Sequence, residues 1–116
     1  MPRMMSFSLT TAQFEDGTKT VTRRKGWAML CPGDIVMGIE KGMGLRKGEK
    51  VRRLHPIRIV SVRREPLNAI TWADVVREGF PEWSVQQFID LYRRANGGPA
   101  DQPVTRIEFE HLEVTP

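Results

Sequence analysis

Strand-like and helix-like periodicities do not alternate along this chain, and that segregation is the strongest limit on what it can fold into. Period-two patterns dominate the first half. Met5 to Thr10 sets Phe7 and Leu9 against Ser6 and Ser8, Lys19 to Arg24 is rich in β-branched residues, and Asp34 to Glu40 carries Ile35, Val36, Met37 and Ile39. Thr11 to Glu15 has room for one short helical turn before the Asp16-Gly17 break, but strong helical signals come only after residue 70. There Thr71 caps a short helix reaching about Arg77, and Ser84 with Gln87 forms a capping box ahead of Val85, Phe88, Ile89 and Tyr92. A closing strand is expected from Val104 to Glu113. Without a strand-helix repeat a doubly wound sheet is excluded, and an α+β domain or small barrel is expected.

Val51 to Arg64 reads as one long or bulged strand, with Ile57 and Ile59 on one face and Val60 and Val62 on the other. Apolar residues on both faces predict burial on both sides, and Pro56 points to an edge or a bulge. Cys31-Pro32-Gly33-Asp34 reads as a turn. The glycine-rich stretch from Lys41 to Lys50 lacks the Gly-Lys-Ser/Thr ending of a phosphate loop, so a basic loop or hairpin is expected.

At 116 residues, one domain spanning 1–116 is expected, with residues 1–4 as a disordered lead-in. The single cysteine, Cys31, cannot form an internal disulfide, which suits a reducing compartment. No apolar run approaches the length of a signal peptide core or a membrane span, so the expected setting is the cytoplasm, away from membranes. Nothing in the sequence assigns an oligomeric state. Net charge is +4, divided unevenly: 14 basic and 5 acidic residues up to Arg64, 4 and 9 after it. That asymmetry predicts a basic face that attracts polyanions, unless the two halves interleave and neutralise each other.

Gly17-Thr18-Lys19-Thr20-Val21-Thr22-Arg23-Arg24 concentrates hydroxyls and cations, the usual donors to phosphate oxygens. Metal chemistry is not expected, because Cys31, His55 and His111 lack ligand spacing, and no cofactor is implied. Both histidines read as ordinary partly exposed residues. Trp72 and Trp83 read as core or rim packing, whereas Trp27, just after the cationic strand, is placed to stack on a base.

The order of strand, short helix, Gly17 to Arg24, Pro32-Gly33-Asp34, a helix preceded by Glu78-Gly79-Phe80, and a closing strand resembles an ASCH domain of the PUA-like superfamily over nearly the whole chain. The resemblance implies an α+β fold, a small PUA-like β-barrel of about five to six strands with two to three flanking short helices, and a cleft beside the Lys-Thr strand. It also implies a setting among proteins of RNA and modified bases, closest to short variants from bacterial and phage genomes. Some small members are amidohydrolases that remove the acetyl group of acetylcytidine with a lysine, a threonine and a glutamate; on the motif these match Lys19, Thr22 and Glu78. The chain departs from them in a basic insertion, Gly42 to Arg53, and in Gly79-Phe80-Pro81-Glu82-Trp83 after the glutamate.

The first expectation is therefore an RNA- or nucleotide-binding domain. Lys19, Arg23 and Arg24 would meet phosphate, Thr20, Thr22 and Glu78 would surround a base, and Lys25, Trp27, Arg46 and Lys47 would extend the surface. The alternative is an acylcytidine amidohydrolase using Lys19, Thr22 and Glu78; ribonuclease action is a third. Amidohydrolase chemistry carries a geometric condition. Residues three apart on a regular strand face opposite ways, so Lys19 and Thr22 converge only if Lys19 lies outside the strand or a bulge intervenes.

Overall fold

The computed structural model describes residues 3–42 and 47–112. Five strands form a curled sheet in the order β1-β3-β4-β5-β2: β1 Arg3–Ser6, β2 Val21–Arg24, β3 Ile35–Ile39, β4 Arg53–Pro66 and β5 Pro103–His111. β1 runs parallel to β3, and every other neighbouring pair is antiparallel. Three helices accompany the sheet, α1 Thr11–Glu15, α2 Trp72–Arg77 and α3 Val85–Asn96, with a 3-10 turn at Leu67–Ala69. The arrangement is a small α+β half-barrel.

Both expected helix starts are present. The Thr71 hydroxyl accepts from the Asp74 N–H at 3.3 Å, and Ser84 and Gln87 exchange both bonds of a capping box. Strand edges moved more. Arg3 and Met4, expected in a disordered lead-in, pair with Val36 and Met37, because the parallel partner β3 satisfies their backbone. β2 starts only at Val21, which leaves Lys19 outside the strand.

The expected two-sided burial of the long strand fails at Val60. Pairing with β5 shifts between Ile59 and Ser61, so Val60 is an extra, exposed residue of a bulge while Ile57 and Ile59 face the core. Pro56 sits in a central strand, beside a second register shift opposite Met37 and Ile39. Gly38 lies within that shift against the Phe14 ring and the His55 carbonyl, where an added Cβ would collide with the ring.

One core cluster joins Met5, Phe7, Phe14, Leu30, Val36 and the inner residues of β4 and β5. A second joins Leu67, Ile70, Val75, Phe88, Ile89, Tyr92 and Val104 around α2 and α3. Trp83 packs on the second and stacks on Phe80 at 4.3 Å. Trp72, expected to pack, is instead 61% exposed at the first position of α2.

Candidate functional site

A cleft of about 420 Å³ opens between the two core clusters, a volume suited to a small organic ligand. Its walls come from the segment after β1, the Lys19 to Trp27 stretch, the Glu78-Phe80 corner and one face of α3. Lys19, Thr22 and Glu78 all line it.

Local backbone geometry explains how they meet. Lys19 N–H donates to the Gln13 carbonyl at 3.1 Å and Thr20 N–H to the Arg77 carbonyl at 2.8 Å, which ties the approach to β2 onto α1 and α2. Glu78 is the C-cap of α2. The chain then turns through Gly79 at φ 108, a conformation that favours glycine, and a Cβ there would also press on Gln13. With Lys19 ahead of the strand and Thr22 within it, the condition on convergence is met.

Lys19 is 3% exposed, and its Nζ donates to Glu78 Oε1 at 2.7 Å and to the Glu78 carbonyl at 2.9 Å. Burial pushes the Lys19 pKa below its ordinary value, against the opposing pull of Glu78. Behind this pair runs a buried ion network. Arg23 donates to Glu78 at 3.1 Å, Glu65 at 3.0 Å and Asp74 at 2.6 Å, and Arg106 forks onto Asp74 at 2.7 and 3.0 Å. Those Arg106 bonds, reinforced by Arg23, hold the Asp74 carboxyl well below the usual carboxylate range. At the site, two basic residues of the first half, Lys19 and Arg23, therefore pair with acidic residues of the second, Glu65, Asp74 and Glu78.

Of the other predicted site residues, Arg23, Arg24, Lys25 and Trp27 line the cleft, and Thr20 and Lys47 do not. Arg24 lines the cleft, donates from Nε to Thr22 Oγ1 at 3.1 Å and lies 4.8 Å above the Phe7 ring. Desolvation brings its pKa down to about 10. Lys25 reaches the Asn96 carbonyl at the rim, 2.7 Å away. Trp27 also lines the cleft, at φ 64, the one positive-φ residue other than glycine among those described. Thr20 lies outside the cleft lining, its hydroxyl accepting from Arg77 Nε at 3.2 Å. Lys47 is exposed in a turn away from the cleft, and Arg46 lies outside the described residues.

Sequence reading missed two groups. Tyr92, which the spacing places on a helix face with Val85, Phe88 and Ile89, lines the cleft, and its hydroxyl has no hydrogen-bond partner. Its signal was a single phenol among the apolar positions of α3. His55 Nε2 and His111 Nδ1 are 2.6 Å apart, and His111 Nε2 is 2.6 Å from the Lys19 carbonyl. That carbonyl only accepts, so His111 Nε2 carries a proton, and in the neutral pair His55 Nε2 donates to His111 Nδ1. Burial, then the neighbouring His111, pushes the His55 pKa down, which favours the neutral form of His55.

Among the described residues, no cluster of three or more His, Cys, Asp or Glu side chains is placed to hold a metal ion, and no helix is long and apolar enough to cross a membrane. No protein-family model matches the sequence, nor does any curated protein. Solved structures do match. Protein EF3133 from Enterococcus faecalis V583, of family DUF984, aligns with a TM-score of 0.68 at 14% identity, over 97% of this chain and 80% of its own. An ASCH domain from Lactobacillus crispatus JV V101 aligns with a TM-score of 0.66 at 15% identity, over 94% of this chain and 78% of its own. With the sheet order, these alignments identify the fold of this chain as that of an ASCH domain, small and α+β.

Proposed function

We propose that the cleft is an amidohydrolase site acting on a small N-acylated cytidine. The observation that carries this reading is the convergence of Lys19, Thr22 and Glu78 on one cleft, with Lys19 buried against the carboxylate. The volume supports a nucleoside-sized ligand. A polyanion reader gains less support, because Lys19 and Arg23 are already committed to ion pairs. The choice of a cytidine rests on the motif resemblance of these three residues, since alignment at 14–15% identity speaks to fold alone.

Each residue has a role its surroundings favour. Thr22 Oγ1 accepts from Arg24 Nε, so its own proton remains free to leave, and the adjacent guanidinium favours the developing alkoxide. The 2.7 Å contact between Lys19 Nζ and Glu78 Oε1 is the path along which the lysine can pass a proton to the carboxylate. With that proton on Glu78, Lys19 Nζ takes the Thr22 proton as Oγ1 bonds to the acyl carbon. Glu78 then protonates the departing exocyclic amine as the C–N bond breaks. Water, losing a proton to the same pair, cleaves the acyl-threonine ester; the carboxylic acid leaves and Thr22 regains its hydroxyl.

The test is incubation of the protein with N4-acetylcytidine and related acylcytidines, following the ultraviolet change on deacylation, beside Lys19→Ala and Thr22→Ala. Turnover that falls by about three orders of magnitude or more in both variants is expected. No turnover across the panel refutes the activity, and turnover that survives Thr22→Ala removes threonine as nucleophile.

A further inference from the structure

Two cations that line the cleft, Arg24 and Lys25, form no ion pair among the described residues, and of the two Arg24 is the partly buried one, Lys25 being exposed at the rim. Lys19 and Arg23 each meet carboxylates, whereas Arg24 forms no ion pair among the described residues; its protein partners are the Thr22 hydroxyl and the Phe7 ring. Tyr92, 5% exposed, brings to the same cleft a phenol whose hydroxyl has no partner. A partly buried guanidinium whose nearest acidic group, Glu78, is shared with Lys19 and Arg23, and an unsatisfied buried hydroxyl, both oppose folding. Both can donate: the Tyr92 hydroxyl finds no acceptor in the protein, and Arg24 finds a neutral one, the Thr22 hydroxyl. The acidic group of the cleft, Glu78, is taken by Lys19 and Arg23.

We infer that Arg24 and Tyr92 form an oxyanion subsite, so that the preferred ligand carries a carboxylate or phosphate that supplies the missing acceptor and counter-charge. An anion there would restore the satisfaction that buried polar groups ordinarily have. Geometry also limits its place on the ligand, a step that rests on the amidohydrolase reading. Arg24 Nε is 3.1 Å from Thr22 Oγ1, and a charge-assisted contact adds about 2.8 Å beyond the outer guanidinium nitrogens, so the anion sits roughly 5–7 Å from the threonine oxygen. That reach fits a carboxylate a few bonds beyond the scissile carbonyl, as in an amide of a dicarboxylic acid. A phosphate on the sugar lies across the base from the acyl group and fits it less directly.

Equilibrium binding of ligands that cannot be hydrolysed tests this independently of turnover, read by calorimetry or by quenching of tryptophan emission. N4-(3-carboxypropyl)cytidine is compared with neutral N4-butylcytidine, and cytidine 5'-monophosphate with cytidine. The expected result is binding about tenfold tighter for the carboxylate ligand than for its neutral match, lost in Arg24→Gln and reduced about threefold or more in Tyr92→Phe. A preference confined to the phosphate pair, and lost in the same variants, supports the subsite and assigns its anion to the nucleotide. Equal affinity within both pairs, no binding of any of the four at millimolar concentration, or a preference that survives both variants overturns it. Tyr92→Phe preserves shape, so it decides the matter if Arg24→Gln does not fold. Absence of turnover with acylcytidines would sink the proposed activity while leaving this comparison readable.

Discussion

Removing either end of the Lys19–Glu78 ion pair should not be equivalent, because the two ends have different reserves of partners. Glu78 accepts from both Lys19 at 2.7 Å and Arg23 at 3.1 Å, and is almost wholly buried. Glu78→Ala therefore strands Lys19 Nζ with one backbone carbonyl while Arg23 keeps Glu65 and Asp74. Breaking a buried pair in this direction costs about 3–5 kcal/mol. Lys19→Met leaves the carboxylate still held by Arg23 and fills much the same space, so about 1–2 kcal/mol is expected. Urea unfolding at pH 7, with unchanged slope as the control for two-state behaviour, measures both. The pH dependence gives a second signature. In Glu78→Ala the pull that opposes desolvation of Lys19 is gone, so the folded lysine loses its proton at lower pH than the unfolded one. The unfolded state then binds more protons, stability rises with pH, and the deficit should shrink as pH rises toward the ordinary lysine value of the unfolded chain. Equal losses from the two variants, or a deficit in Glu78→Ala that does not change with pH, would refute the reasoning.

Acid should weaken the network behind the site. The folded Asp74 pKa is lowered by Arg106 and then Arg23, so its stabilisation is complete above the ordinary carboxylate range and is lost as pH falls from about 4 toward its own lower value. Melting temperature followed from pH 6 to pH 3 should fall more steeply in the wild-type chain than in Asp74→Asn, which starts lower; parallel curves would contradict the assignment. At the β3 irregularity, Gly38→Ala forces a methyl onto the Phe14 ring and should cost about 1–3 kcal/mol in a thermal melt, with partial recovery when Phe14→Leu is added. An unchanged melt would mean that the ring moves aside freely.

Much of the site was legible because its signals are local or compositional. Lys19, Thr22 and Glu78 stood out by residue type and motif, and the structure brings all three to one cleft. Arg24 was identified as a cation for phosphate, but nothing in the sequence distinguished it from Lys19 or Arg23; that difference arises from carboxylates 42 to 55 positions away from Arg23. The histidine pair spans 56 positions and left no sequence signature.

What the sequence by itself determined were features closed within a few residues. The Thr71 and Ser84 caps, the turn at Gly17 and the two periodicities depend on hydrogen bonds and side-chain spacing inside one segment, and each is where local chemistry puts it. Only the tertiary structure decided the strand order, the parallel pairing of β1 with β3, the outward bulge at Val60 and the pairing of Lys19 and Arg23 with carboxylates of the acidic half. A strand's pattern states which face is apolar but not which neighbour covers it or where an extra residue is absorbed. A charge count likewise gives signs without distances, and at a buried site it is the distance to the opposite charge that determines which cation remains for a ligand.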